Sequence, residues 1–150
     1  TQNIDGLHQR SGVPKDKIIE IHGNATEARC LNCGEKANIL DFHAAIKTNN
    51  PLPKCSNCGG LVKVATISFG QPMNENDMLQ ASNISSHCDL MIVMGSSLSV
   101  MPAGQIPNLA IKSGAKIVIL NREETIYDAM ANIVINDELK IICKELIKLI

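Results

Sequence analysis

Aromatic residues are nearly absent from this chain of 150 residues, which has no Trp, 1 Tyr and 2 Phe. Base stacking on aromatic rings, a common route to nucleic acid, therefore has almost nothing to work with. Charge of one sign is lacking as well. Against 14 Lys and Arg stand 15 Asp and Glu, a formal net charge of −1 with no electrostatic footprint for a polyanion. Nucleic acid is not an expected partner. No apolar run approaches the roughly 20 residues that cross a bilayer, so no membrane contact is expected either. The G-x-G-x-x-G fingerprint is missing, which counts against an NAD-linked dehydrogenase. The first residue is Thr1 rather than Met, and it already sits inside a motif. The expectation is a fragment whose upstream strands lie outside the sequence. With no secretory leader in view, a cytoplasmic location is expected.

Cysteine, by contrast, is ordered. Cys30-Leu31-Asn32-Cys33 and Cys55-Ser56-Asn57-Cys58 are two C-x2-C pairs at zinc-ribbon spacing. Each pair sets two thiolates on one tight turn, and four thiolates close a tetrahedron around zinc with no position left for water or substrate. Cys30, Cys33, Cys55 and Cys58 are thus the expected ligands of one structural zinc. Disulfides or a redox C-x-x-C fit an otherwise cytosolic α/β chain less well. Cys88 and Cys143 lie outside the set and read as small buried hydrophobes.

The apolar runs Leu90 to Met94, Lys116 to Leu120 and Asn132 to Ile135 read as strands, the first buried on both faces. Helices are expected over Met101 to Lys112, with Pro102 in its first turn and Ser113-Gly114 as its stop, over Glu123 to Met130, and over Asp137 to Ile150. In the last helix, apolar residues at 139, 142, 143, 146, 147 and 150 mark one buried face. Alternating strands and helices predict an α/β fold with part of a Rossmann-like parallel sheet. A module at 24–64, rich in Asn, Gly, Pro and Cys, reads as a four-cysteine zinc ribbon inserted between 1–23 and 65–150, which would form the nucleotide domain.

Ligands of open parallel sheets bind beyond the carboxyl ends of the strands. Gly95-Ser96-Ser97 follows the first strand and offers approachable N–H groups and hydroxyls for phosphate. Asn121 ends the second and can hydrogen-bond a ribose hydroxyl. By themselves these are also ordinary turns. Thr1-Gln2-Asn3-Ile4-Asp5-Gly6-Leu7-His8 puts amide, carboxylate and imidazole in one loop, more polar function than a connector needs, although Asn, Asp and Gly all favour turns.

TQNIDGLH, then Ile21-His22-Gly23, the two cysteine pairs, Ile67-Ser68-Phe69-Gly70, GSSLSVMP and Asn121, in that order, resemble the sirtuin family. The resemblance runs from Thr1 to about Asp137. It implies an NAD-dependent protein lysine deacylase, acetyl being the expected acyl group. In that chemistry the acyl-lysine amide oxygen attacks C1′ of the nicotinamide ribose and nicotinamide leaves. A histidine then activates a ribose hydroxyl, and the acyl group ends on ADP-ribose.

Carried over by position, the resemblance makes His22 the catalytic base and Asn3 its companion. Gln2, Asn3, Ile4 and Asp5 fall around nicotinamide and its ribose. Gly95, Ser96, Ser97 and Asn121 fall on the phosphates and the adenosine ribose, and Asp137 near the adenine edge. Phe69, Gly70, Ser99 and Val100 match the stretches between which an acylated peptide lies as an added strand. NAD as cosubstrate, one structural zinc and acylated lysine peptides are the implied ligands. His8 reads as part of the loop, His43 and His87 as surface or helix residues, and the six Met as packing.

Two departures from the family pattern bear on this. The residue after Phe69-Gly70 is usually acidic and here is Gln71, which alters the charge at that edge of the peptide groove. The glycine-rich NAD loop that precedes TQNID in sirtuins is not in the sequence. The reading from another class is a zinc-bearing module that binds nucleotide or peptide without turnover, and nicotinamide release with an acylated peptide separates the two.

Overall fold

The computed structural model describes residues 1–47 and 52–149. Positions 48–51 of the cysteine module and Ile150 of the final helix lie outside the described residues. The chain divides into two units, Thr1–Asp77 and Met78–Ile150.

In the first unit a polar loop leads into α1 (Leu7–Arg10) and a 3-10 turn at Lys15–Lys17. A three-stranded antiparallel sheet follows, in the order β2-β1-β3, from β1 (Gly23–Cys30), β2 (Lys36–Asn38) and β3 (Val62–Thr66). Ala28 pairs with Ala37 on one side and Val64 on the other. α2 (Leu40–Lys47) starts where the Asn38 side chain accepts the Leu40 N–H at 2.9 Å, satisfying one of the amides a helix start leaves open.

α3 (Glu75–Ser86) crosses from the first unit into the second. Its start is capped by Asn74, whose side-chain oxygen accepts the Asp77 N–H at 3.1 Å. The second unit then follows the expected grammar. β4 (Leu90–Met94), β5 (Lys116–Leu120) and β6 (Ile133–Ile135) form a parallel sheet in the order β4-β5-β6, Val93 facing Ile119 and Ile119 facing Val134. Ile117 and Ile119 are fully buried and, with Val93, Leu98, Ala110 and Tyr127, make the core. Each of those isoleucines contributes about 1.5–3 kcal/mol through burial. α4 (Ile106–Lys112) and α5 (Leu139–Ile147) complete the unit.

Four expectations change. β4 is not buried on both faces: Leu90, Ile92 and Met94, which alternate along one face of this edge strand, are about half exposed. The helix expected from Met101 begins instead as a 3-10 turn at Ala103–Gln105 and becomes α-helical at Ile106. Pro107 has no N–H to give to the Ala103 carbonyl, so the α ladder can start only with that proline in its first turn.

The helix expected over Glu123 to Met130 is a turn with 3-10 geometry at Asp128–Met130 alone. The Asp128 carboxylate accepts the Thr125 N–H at 3.1 Å and the Thr125 hydroxyl accepts the Tyr127 N–H at 3.2 Å, so side chains take the amides a helix would use. On α5, Ile142 is buried and Leu139 and Cys143 are half-buried, whereas Leu146 and Ile147 are exposed: the buried face is only its first turns. Cys88 packs against the core as expected. No described helix is long and apolar enough to cross a membrane.

Candidate functional site

Both cysteine pairs are built by one hydrogen-bond pattern. The carbonyl of the first cysteine accepts the N–H four residues on, Gly34 to Cys30 at 3.1 Å and Gly59 to Cys55 at 2.8 Å. Its own N–H reaches the carbonyl five residues on, Cys30 to Glu35 at 2.9 Å and Cys55 to Gly60 at 2.8 Å. The two turns therefore present thiols in the same way, one cysteine of each pair buried and the other exposed.

All four Sγ atoms lie within 4.8 Å of one another, with Cys30 and Cys58 at 3.5 Å and Cys33 and Cys55 at 3.7 Å. A tetrahedron with zinc–sulfur bonds of about 2.3 Å has sulfur separations of about 3.8 Å, so the four ligands fit one zinc. The set is closed by its own four sulfurs and leaves no open position for catalysis. The thiols cannot all ionise unaided. The Gly60 backbone N–H, followed by the Asn32 amide, holds Cys58 down at about 6. Cys33, although the Glu35 backbone N–H pulls it down, is pushed up to about 12 by the sulfur of Cys58, by desolvation, and by the sulfurs of Cys30 and Cys55. A divalent cation relieves that repulsion.

The same unit brings the TQNID loop against the Ile21-His22-Gly23 segment. The Ile21 N–H donates to the Thr1 carbonyl at 3.0 Å and the Ala25 N–H to the Ile4 carbonyl at 2.8 Å. Between these ties the half-buried His22 ring sets Nδ1 at 3.0 Å from the Gln2 carbonyl oxygen. A carbonyl only accepts, so this bond takes Nδ1–H and leaves Nε2 with the lone pair in the neutral ring. Gly23 holds the next position at φ +77°, where an added Cβ would collide with the Ala65 carbonyl. Only glycine lets β1 leave the histidine this close to β3. Asn3 and Ile4 are exposed, and Asp5, also exposed, uses Oδ1 to accept the Leu7 N–H at 2.9 Å at the start of α1. Phe69 and Gly70 stand on an exposed turn after β3.

In the second unit, Gly95, Ser97, Asn121 and Asp137 line one open cavity of about 510 Å³ at the carboxyl ends of β4, β5 and β6. The volume suits a nucleotide-sized ligand. A Cβ on Gly95 would meet Leu139 Cδ1 at 2.7 Å, so the loop runs close under α5. Asn121 is buried, its Nδ2 donating to the Glu123 carbonyl at 2.7 Å. Ser96 Oγ accepts the Leu98 N–H at 3.2 Å, and the Ser97 and Ser99 hydroxyls are 2.8 Å apart. Val100 is exposed.

The helix expected just beyond this loop begins only at Ile106, whereas the start of α5 at Leu139 and Lys140 lines the cavity beside Gly95 and Ser97. Arg122, Glu123, Glu138 and Lys140 also line the cavity and were not singled out by sequence. Their signal was position, since each lies within three residues of Asn121 or Asp137.

The model of the Sir2 family matches residues 1–102. An NAD-dependent protein deacetylase of Rhodopseudomonas palustris is 45% identical over 139 residues, which are 93% of this chain and 55% of that protein. NAD-dependent protein deacetylase 1 of Bradyrhizobium diazoefficiens is 47% identical over 93% of this chain and 54% of its own length. Among solved structures, one described as "Sir2 bound to acetylated peptide" superposes with a TM-score of 0.91 at 35% identity, over 99% of this chain and 61% of that one. Another, "Sir2-p53 peptide-NAD+", gives 0.89 at 36% identity over 99% and 60%. The chain thus spans a little over half the length of the curated relatives it matches.

Proposed function

The chain belongs to the Sir2 family, and from that premise we propose that the protein it represents is an NAD-dependent protein lysine deacylase acting on acylated lysine peptides. The observation that carries the reading is the bond between His22 Nδ1 and the Gln2 carbonyl, because it fixes the tautomer a general base needs. NAD, when bound, supplies the ADP-ribose that accepts the acyl group as nicotinamide leaves.

This chain's residues divide the work. His22 Nε2 takes a proton from a ribose hydroxyl. Asn3, with Gln2, Ile4 and Asp5, orients the nicotinamide ribose portion. In the second unit the Gly95-Ser96-Ser97 loop serves phosphate, Asn121 the adenosine ribose and Asp137 the adenine edge. Phe69 and Gly70, and separately Ser99 and Val100, offer backbone to an extended peptide. With one water consumed the atoms balance: the amide oxygen stays on C1′ as nicotinamide leaves, the acyl carbon passes to the ribose hydroxyl and takes its carbonyl oxygen from water, and nicotinamide, free lysine and O-acyl-ADP-ribose are the products.

Residues 24–64 serve as the zinc-bearing module, and 1–23 with 65–150 as the nucleotide domain. The zinc is structural and takes no part in the chemical step. Four reduced thiols held for a metal suit a reducing compartment, which supports a cytoplasmic location. The test is release of nicotinamide from NAD by the full-length protein with an acetyl-lysine peptide. Peptide or nucleotide binding without release would make it a binding module.

A further inference from the structure

Arg29 of β1 lies opposite Lys36 of β2 and Lys63 of β3. Directly opposed residues share a face, so three cationic side chains form one row across the small sheet. Two inter-strand spacings make that row about 10 Å long. Like charges set opposite one another destabilise a sheet, and here one carboxylate answers them: Glu27 Oε2 lies 2.9 Å from Lys36 Nζ. Arg29 and Lys63 have no acidic partner among the described residues.

Lys63 is held at the substrate side of the row by neutral oxygens only. Its Nζ donates to Ser68 Oγ at 2.9 Å and to Gln71 Oε1 at 2.8 Å, and the same Gln71 oxygen accepts the Ser68 N–H at 3.2 Å. The Gln71 N–H closes the turn on the Ser68 carbonyl at 2.9 Å, with Gly70 at φ +80°, the value a type II turn requires at that position. The fully exposed Phe69 therefore stands on a turn stapled by an ammonium group. Gln71 has the shape of a glutamate and accepts the bond without cancelling the charge. An ammonium has three N–H donors, so one remains for a ligand.

We infer that Lys63, backed by Arg29, is a subsite for acidic side chains of the substrate, and that the protein prefers acylated lysines with Asp or Glu a few residues away. The inference rests on the deacylase reading, under which Phe69 and Gly70 touch the peptide. A turn staple alone would need only the hydrogen bonds. A recognition site needs the charge. Gln71→Glu separates the two, because it keeps an acceptor for Lys63 while supplying the missing negative charge, and Lys63→Arg keeps the cation.

The test uses two acetyl-lysine peptides that differ only in Glu against Gln at the flanking positions. The full-length protein is assayed with NAD for the ratio of KM values, and by fluorescence anisotropy for peptide binding without NAD. The acidic peptide is favoured about 3- to 10-fold at low salt, as expected for two partly screened ion pairs, and the preference shrinks in about 0.5 M salt. Gln71→Glu brings the ratio to about 1, and Lys63→Arg preserves it.

Equal affinity for the two peptides in the wild type, an undiminished preference in Gln71→Glu, or no binding of either peptide overturns the inference. Failure of the deacylase reading looks different. Neither peptide is then turned over, while anisotropy still ranks the acidic peptide above the neutral one.

Discussion

His22 and Gln2, twenty residues apart in sequence, meet through a 3.0 Å contact between the ring Nδ1 and a main-chain carbonyl. Because that oxygen belongs to the backbone, no substitution at position 2 removes the acceptor. The tautomer is set by the path of the loop, which the Thr1 to Ile21 and Ile4 to Ala25 bonds hold in place. His22→Ala in the full-length protein is expected to lose about 10²- to 10⁴-fold in deacylation rate, the usual worth of a general base, with zinc content and thermal stability kept. Gln2→Ala is expected to keep more activity than His22→Ala, since the carbonyl survives. Steady-state rates of the two variants, compared at saturating NAD, check this.

Gly23 follows the histidine, and its tolerance is narrow. Gly23→Ala places a methyl against the Ala65 carbonyl and puts an L residue at φ +77°. Left-handed backbone costs about 1–2 kcal/mol and overpacking about 1–3 kcal/mol more. A loss of about 2–5 kcal/mol in chemical denaturation is expected on those two costs, with hydrogen-exchange protection falling in β1 and β3 first.

Metal analysis is expected to give about one zinc per chain. Structural zinc typically contributes on the order of 10 kcal/mol to a small module. Chelation, or Cys30→Ser, is therefore expected to abolish exchange protection across β1, β2 and β3 and to reduce activity by unfolding rather than by altering the chemical step. A chain that keeps this protection without metal contradicts the assignment.

The motifs and the second unit's sheet were legible because their signals are local. Continuous apolar runs marked β4, β5 and β6, and cysteine spacing marked the thiol cluster. What was missed depended on competition between neighbours. Pro107 delayed α4, and the Thr125 and Asp128 side chains took the place of the helix expected over Glu123 to Met130. α3 escaped because its Ser- and Asn-rich run lacks a clear apolar period, although Asn74 and the acidic first turn were readable as a start signal. The His22–Gln2 bond could not be read at all, since a backbone acceptor leaves no mark in side-chain identity.

One substitution separates the structural bond of Asn121 from its proposed ribose contact. Its Nδ2 already donates to the Glu123 carbonyl, so Asn121→Ala is expected to lower stability as well as NAD affinity, each by about 1–3 kcal/mol. Calorimetric titration with NAD, beside a thermal melt of the same preparation, separates the effects. An unchanged affinity in a destabilised variant would make Asn121 a structural residue of the strand end and not a ribose contact.

The central claim is that His22 works as the base of NAD-dependent deacylation, and product stoichiometry tests it most directly. The full-length protein, given NAD and an acetyl-lysine peptide, is expected to form nicotinamide, deacetylated peptide and O-acetyl-ADP-ribose in equal amounts, with His22→Ala forming almost no deacetylated peptide. Production of none of the three by the wild type, or full activity in His22→Ala, would contradict the account.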